Sequence, residues 1–488
     1  MDLSRRAFLQ GLAAATTLPA LAAIPGCSTT ELPNDFETLE ALLPGRVLRP
    51  GAPNYARYTQ PWNLRWLDRR PIAAAVVRAA SAADVATAVR WARDSGIAIV
   101  PRSGGHSYAG YSTTNGVIID VSSMADVSFD ASTGLATVGG GARNRQVYDA
   151  LEKVDQTLTH GRCYQVGVAG LALGGGIGFN MRRIGLTCDR LVATEIVLAN
   201  GETVLASAKE NADLFWAVRG SGGGQFGIHT RFTFATVAAP ELAVFDITFT
   251  DSLEKLLPAL LAQARTAPRE LGLKYTLRAT RSDTGVALVL NLLGQWAGPR
   301  ADLDAWLAPL RAIHAPDPAR DAIQLVRYWD GQKLLSDEGA PEYSYERSRY
   351  AHRPFDGEAL ATVFEQLRAL PAGTASWKGF LTGGAIGDVA ADGTAFVHRA
   401  DWVLTTVDLA WTPELGQTRV LEALLWLDAF HATMEPFTSS ESYQNFIDDS
   451  EIAWKSAYHG ANFARLQRVK RQVDPSNLFR FPQSIPPA

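Results

Sequence analysis

The chain has 488 residues, of which 47% are hydrophobic and 20% charged, with a formal net charge of -4. That length supplies material for two or three domains, and the balance excludes a disordered or low-complexity chain. A slightly negative chain with no lysine- or arginine-rich run lacks the basic field that nucleic acid requires, so nucleic acid is excluded as a partner.

The first residues read as an address. Ser4-Arg5-Arg6-Ala7-Phe8-Leu9 resembles a twin-arginine signal and precedes an uncharged apolar stretch from Gly11 to Ile24, too short for the roughly 20 residues of a membrane span. Residues 1–27 are therefore expected to direct export of an already folded protein to the periplasm or beyond, a route that suits a tightly held cofactor. Ile24-Pro25-Gly26-Cys27 is similar to a lipobox, which would give an N-terminal lipid anchor at Cys27; Leu21-Ala22-Ala23 offers ordinary cleavage instead. No later segment has about 18 uninterrupted apolar residues, so no membrane span is expected.

Residues 68–240 alternate strand and helix signals. Ile72 to Val77 is a short apolar run; Ser81 with Asp84 forms a capping pattern before Val85, Ala88, Val89 and Ala92 at helical spacing, and Gly96 is the stop. Ile97 to Val100 and Val117 to Val121 read as strands, and Leu191 to Leu198 with Glu202 to Leu205 reads as a hairpin across Asn200-Gly201. Residues 241–440 mix helical patterns, Ser252 to Arg265 and Leu303 to Ile313, with alternating strands, Lys274 to Arg278 and Val286 to Leu292. Pro258 and Pro309 fall inside the two helical patterns, which predicts kinked or shortened helices. This second region is expected to be antiparallel sheet flanked by helices. Residues 441–488 carry a helix from Asn462 to Val473 and an Asp474-Pro475-Ser476-Asn477 turn.

Three glycine-rich segments carry the chemistry. Pro101 to Tyr108 contains Ser103-Gly104-Gly105-His106-Ser107 directly after a strand, where converging N–H groups can nest an anion such as a pyrophosphate. Gly161 to Gly178 places Cys163 among many glycines, which implies backbone held close to a ligand. Gly222-Gly223-Gly224-Gln225-Phe226-Gly227 formally matches a dinucleotide fingerprint. Its context is inverted, helix before and strand after, which argues against an NAD-binding domain. Cys163 and Cys188 would remain after signal removal; a disulfide between them is one reading in an oxidising compartment.

Together with Arg219-Gly220-Ser221, Gly383-Gly384, Phe396-Val397-His398-Arg399 and Asp474-Pro475-Ser476-Asn477-Leu478-Phe479, these segments resemble, in order and from about Ile72 to Pro482, the berberine bridge enzyme-like family of FAD-linked oxidases. The resemblance implies an α+β architecture: an FAD-binding domain of the vanillyl-alcohol oxidase type (68–240), a substrate domain of antiparallel sheet plus helices (241–440), and a C-terminal segment (441–488) returning to the first. It implies bicovalent FAD, with His106 bonded to the 8α carbon of the isoalloxazine and Cys163 to its C6. That displaces the disulfide and leaves Cys188 a buried free thiol.

By the same resemblance Arg102, Ser103, Gly104, Gly105, Ser107, Val166, Gly167, Gly170, Gly174, Gly175, Gly227 and Ile228 are expected around the FAD, and Tyr443 and Asn445 at the catalytic position, Asn445 also holding the flavin. Tyr443 is the candidate base for an alcohol proton, provided that a cation or hydrogen bonds lower its pKa, and Asn445, two residues on, is expected on the same side of a strand. Phe446 departs from the family, which commonly has tyrosine there. His398 and Arg399 are substrate-side groups or a buried structural pair. No metal is expected. The implied function is oxidation of a hydroxyl-bearing small molecule, a saccharide or secondary metabolite, with O2 as acceptor. A dehydrogenase using another acceptor and a flavin-loaded storage protein are the alternatives.

Overall fold

The computed structural model describes residues 36–67, 69 and 72–488; the twin-arginine segment and Cys27 lie outside the described residues. Helix α1 (Ala82–Ser95) forms where the capping pattern places it. The Ser81 hydroxyl accepts from the Asp84 N–H at 3.1 Å, Asp84 accepts from the Ala80 N–H at 2.8 Å, and Gly96 ends the helix at φ 67°. Its stripe of Val85, Ala88, Val89 and Ala92 is buried. Around it, strands β1 (Val47–Leu48), β2 (Ala75–Arg78), β3 (Ile99–Arg102) and β4 (Val117–Asp120) form a sheet of order β1-β2-β4-β3, in which β4 lies parallel to both β2 and β3.

A second sheet is wholly antiparallel. Strands β5 (Val127–Asp130), β6 (Leu135–Gly139), β8 (Leu191–Val197), β9 (Thr203–Ser207) and β10 (Ile228–Ala235) run in the order β5-β6-β10-β8-β9, while β7 (Gln156–Thr157) and β11 (Val237–Ala238) make a separate ribbon. The hairpin across Asn200-Gly201 is present as β8 and β9. Each glycine-rich segment lies between elements of these two sheets: the first follows β3, the second carries the short helix α2 (Val168–Leu173), and the third leads into β10.

Residues 241–411 supply a seven-stranded antiparallel sheet: β12 (Glu241–Phe249), β13 (Leu271–Ser282), β14 (Gly285–Trp296), β15 (Asp321–Arg327), β16 (Tyr343–Ala351), β17 (Thr374–Leu381) and β18 (Val403–Trp411), in the order β15-β12-β14-β13-β17-β18-β16. β13 and β14 extend several residues beyond the expected strands, because cross-strand pairing continues through the polar Thr280, Arg281 and Ser282, which hydrophobic alternation does not mark. Helices α3 (Leu253–Ala264), α4 (Arg300–Ile313), α5 (Gly357–Arg368) and α6 (Gln417–Thr433) bury their apolar stripes with Leu273, Tyr275, Trp377 and Leu409 of the sheet. Pro258 and Pro309 lie inside α3 and α4, and both helices continue through them. An interior proline costs about 3 kcal/mol; in α3 the six residues Leu253, Leu256, Leu257, Leu260, Leu261 and Ala264 are buried, enough apolar surface to outweigh it.

Strand alternation gives this sheet two unlike faces. Odd residues of β13 and β17 (Leu273, Tyr275, Leu277, Ala375, Trp377) enter the helix-covered core. The even ones, Lys274, Thr276, Ser376, Lys378 and Phe380, take the opposite face, with Glu346 and Ser348 of β16 and Thr406 and Asp408 of β18.

The C-terminal helix α7 (Phe463–Val473) places Leu466 and Val469, with Ile485 beyond it, in the same buried cluster as Val138, Trp216 and Phe232. Lys470 and Asp474, both wholly buried, form an i,i+4 ion pair at 2.8 Å. Asp474 also accepts from the N–H groups of Leu478 and Phe479, and Lys470 donates to the carbonyls of Gln225 and Phe479. The Asp474-Pro475-Ser476-Asn477 turn is thus built around one buried carboxylate, and removing it leaves the ammonium uncompensated. Asp474→Ala should cost about 3–5 kcal/mol in the denaturant unfolding of the holoprotein, and Lys470→Met in the same chain should recover part of that loss.

Candidate active site

A cavity of about 380 Å³ lies between the glycine-rich segments and the polar face of the seven-stranded sheet. Of the residues expected around the cofactor and substrate, Ser103, Gly104, Gly105, His106, Ser107, Cys163, Val166, Gly167, Gly170, Gly227, Ile228, Tyr443 and Asn445 line it. Arg102, Gly174 and Gly175 are not in its wall. The Arg102 guanidinium lies behind the first loop, against Gly105, and donates to the Gln60 carbonyl. Gly174 makes room for the Asn445 amide, where a Cβ would lie 2.0 Å from Oδ1; Gly175, at φ 118°, does the same for Phe396. These three shape the wall from behind.

The first two glycine segments meet back to back. A Cβ on Gly104 would lie 2.4 Å from the Gly167 nitrogen, and one on Gly167 would lie 2.5 Å from the Gly104 nitrogen, so neither position admits a side chain. Ser103 and Ser221 line the cavity, and the hydroxyl of each is buried without a hydrogen-bond partner among the described residues. Unpaired polar atoms amid glycine backbone are what the diphosphate of a dinucleotide would satisfy, so the wall fits FAD.

His106 and Cys163 are brought to one edge of this cavity. A Cβ at Gly339 would lie 3.3 Å from Cys163 Cβ and 3.4 Å from His106 Cε1, so the two side chains are near neighbours. His106 stacks on Trp62 at 5.1 Å. Burial, followed by the charges of Arg143 and Arg102, pushes its pKa down to about 3, which keeps the imidazole neutral with a lone pair free for bonding. The Cys163 thiol is pushed up to about 12 by burial and by Asp337. Both cysteines are free, and Cys188 is fully buried.

The roof carries charge. Glu346 is directly opposite Asp408, and Lys378 and Lys274 follow diagonally on β17 and β13. Lys378 lies 3.1 Å from Asp408 and 3.4 Å from Glu346. Although burial opposes it, these two carboxylates raise Lys378 above the usual lysine range. Lys274 is lowered by burial and by the charge of Lys378, and forms no hydrogen bond or ion pair with any described residue. Glu346, Lys378 and Lys274 all line the cavity, and the Tyr108 hydroxyl donates to Glu346. Sequence reading missed all three; the available signal was charge at alternate positions of strands whose other face is apolar.

Tyr443 and Asn445 come together, but differently from the expectation. Residues 443–446 form a turn closed by Phe446 N–H to the Tyr443 carbonyl, not a strand, because the chain folds back here to enter the cavity wall. The Tyr443 oxygen accepts from Asn445 Nδ2 and from the Gly176 N–H, each at 3.0 Å. No cation makes an ion-pair or cation–π contact with it among the described residues, and burial outweighs the two donors, pushing the phenol up to about 12. The hydrogen bonds expected to lower the pKa of a tyrosine base are thus present, but burial outweighs them. His398 and Arg399 take the structural alternative: Arg399 makes a two-pronged buried ion pair with Asp189, both contacts 2.8 Å, and His398 donates to Glu441 at 2.7 Å.

The FAD binding domain family matches residues 73–207, and the berberine and berberine-like family matches residues 442–486. The chain is 32% identical over 454 residues to the uncharacterized FAD-linked oxidoreductase YgaK of Bacillus subtilis, covering 91% of this chain and 97% of that one. It is 33% identical over 462 residues to the glucooligosaccharide oxidase of Sarocladium strictum, covering 87% and 89%. Among solved structures, the BBE-like 1 protein of Physcomitrella patens superposes with a TM-score of 0.83 at 27% identity, over 92% of this chain and 98% of that one. With the cavity, its glycine walls and these likenesses in one order along the chain, this FAD-dependent oxidoreductase belongs to the berberine bridge enzyme-like family of FAD-linked oxidases.

Proposed function

We propose that the protein holds FAD through two covalent bonds, from His106 and Cys163, and oxidises a hydroxyl group of a small molecule, a saccharide or a secondary-metabolite alcohol, with O2 as acceptor. The observation that carries this reading is the convergence of a neutral His106 and of Cys163 on one edge of a cavity whose opposite wall holds an ion-paired carboxylate. When bound, FAD would accept the hydride from the carbinol carbon. His106 offers its lone pair without prior loss of a proton, whereas Cys163 must first lose its own, and Asp337 hydrogen-bonds to that thiol. The saccharide class is supported by the likeness to the glucooligosaccharide oxidase. Export by the twin-arginine route, to the periplasm or beyond, is supported by Ser4-Arg5-Arg6-Ala7-Phe8-Leu9.

An alcohol that loses a hydride must also lose its hydroxyl proton, so a base has to lie within hydrogen-bond reach. Glu346 fits this role better than Tyr443. Its carboxylate lines the cavity beside Lys378, and Tyr108 hydrogen-bonds to it from the same wall. Tyr443, kept protonated by burial in spite of the two N–H donors on its oxygen, has its own proton to donate toward the substrate oxygen, and Asn445 holds it in place.

Three outcomes test this. His106→Ala and Cys163→Ala should each keep yellow flavin on the polypeptide after acid denaturation, and the double variant should release it; an unchanged flavin spectrum in Cys163→Ala would refute the second bond. In anaerobic stopped flow, Glu346→Gln should slow flavin reduction by about 100-fold or more and Tyr443→Phe by only a few-fold, the reverse order returning the base to Tyr443. Val166 lies in the cavity wall three residues after Cys163, the position at which, by the family resemblance, a small side chain would leave dioxygen room to approach. Val166→Ile should slow reoxidation by O2 with substrate reduction nearly intact; if reoxidation of the parent is itself negligible, the dehydrogenase reading holds.

A further inference from the structure

Away from the cavity, three segments converge on a second cluster of chemistry-bearing side chains. His352 follows β16, Asp401 lies just before β18, and Glu441 lies two residues before Tyr443. His352 Nδ1 is 2.9 Å from Asp401 Oδ1, and His352 Nε2 is 3.9 Å from Glu441 Oε1. One ligand atom from each residue falls within 4.8 Å of the others. None of the three lines the cavity.

The charges in this cluster do not balance. Asp401 is 2% exposed, and apart from the His352 contact neither of its buried carboxylate oxygens has a hydrogen-bond partner among the described residues. Neither carboxylate pairs with an arginine or lysine among those residues; the two formal negative charges face only the half-exposed imidazole of His352 and the buried one of His398. The second oxygen of Glu441 is already held by His398, whose Nε2 is buried without a partner. His398, donating from Nδ1 to Glu441, is the kind of outer partner that orients a metal-binding carboxylate.

We infer that His352, Asp401 and Glu441 form a binding site for a divalent transition metal, zinc by ligand chemistry, with Glu441 oriented by His398. One imidazole and two carboxylates suit zinc, whose bonds of about 2.0–2.2 Å put tetrahedral ligand atoms about 3.4 Å apart, inside the spread seen here. The ion neutralises both carboxylates, and with three protein ligands it keeps one position for water. Its role is structural. Backbone hydrogen bonds already join Tyr350 to Glu441 and Trp402 to Ala351, and the metal would lock the same three segments, including the one that carries Tyr443 and Asn445 into the cavity wall. Binding to the native state alone raises its stability by mass action.

The test uses untagged, metal-stripped holoenzyme titrated with ZnCl2 or CoCl2. One zinc per chain should remain after gel filtration, the melting temperature should rise, and cobalt should give visible absorption to the red of the flavin band. His352→Ala and Asp401→Asn should each weaken zinc binding by at least about tenfold and abolish the thermal shift, while keeping covalent flavin and the metal-free melting temperature of the parent. His352 is half-exposed, so its variant serves where Asp401→Asn fails to fold. Equal zinc affinity in the parent and the His352→Ala variant, or no retained zinc in the parent, would overturn the site.

Discussion

The contact on which the site depends is the back-to-back approach of Gly104 and Gly167. Two loops from distant parts of the chain touch through bare backbone, with 2.4 Å between the Gly167 nitrogen and the place a Gly104 Cβ would take. Because nothing larger fits, the loops can lie close enough for one carrying His106 and one carrying Cys163 to flank the same cavity edge. A side chain at either glycine would push the loops apart and separate His106 from Cys163, whatever became of the rest of the fold. The same economy recurs at Gly174 and Gly175, where missing side chains admit Asn445 and Phe396.

The opposite wall obeys a different rule. In the seven-stranded sheet, one set of alternate residues is pinned into the core beneath α3, α4, α5 and α6, which forces the other set toward the cavity. Slipping any one strand by a single residue would bury Lys378, Asp408 or Glu346 among leucines, at a cost far above that of any surface change. The apolar core under the helices therefore fixes the electrostatics of the roof. It also explains why the charged row survives at such burial: each carboxylate has Lys378 within reach, and Glu346, Lys378 and Lys274 open on the cavity.

Chemical roles divide accordingly. Groups on the glycine side are kept neutral by burial, His106 low and Cys163 and Tyr443 high, whereas charge is concentrated on the roof. In the proposed function, a neutral His106 would offer its lone pair to the cofactor, Cys163 would first have to lose its proton, and an ion-paired carboxylate on the facing wall would remove a proton from a substrate lying between. Buried charge also fastens the C-terminal segment, where Lys470 and Asp474 pair in the interior.

What the sequence by itself determined is local or resides in motifs. The Ser81 cap, the Gly96 stop, the Asn200-Gly201 hairpin and the glycine-rich loops are set by backbone preferences within a few residues, and each forms where expected. The motif order identified the family and named His106 and Cys163 for the same reason: close backbone approach leaves glycines as a visible trace. Tertiary structure alone decided what depends on residues hundreds of positions apart. It carried α3 and α4 through their prolines because buried leucines outweigh a lost hydrogen bond, turned Tyr443-Gln444-Asn445-Phe446 out of a strand, and placed Arg102, Gly174 and Gly175 behind the wall. It also joined Lys274, Glu346, Lys378 and Asp408 across four strands, and His352, Asp401 and Glu441 from three segments. Strand order and loop convergence bring such groups together, and neither composition nor periodicity encodes which strands become neighbours.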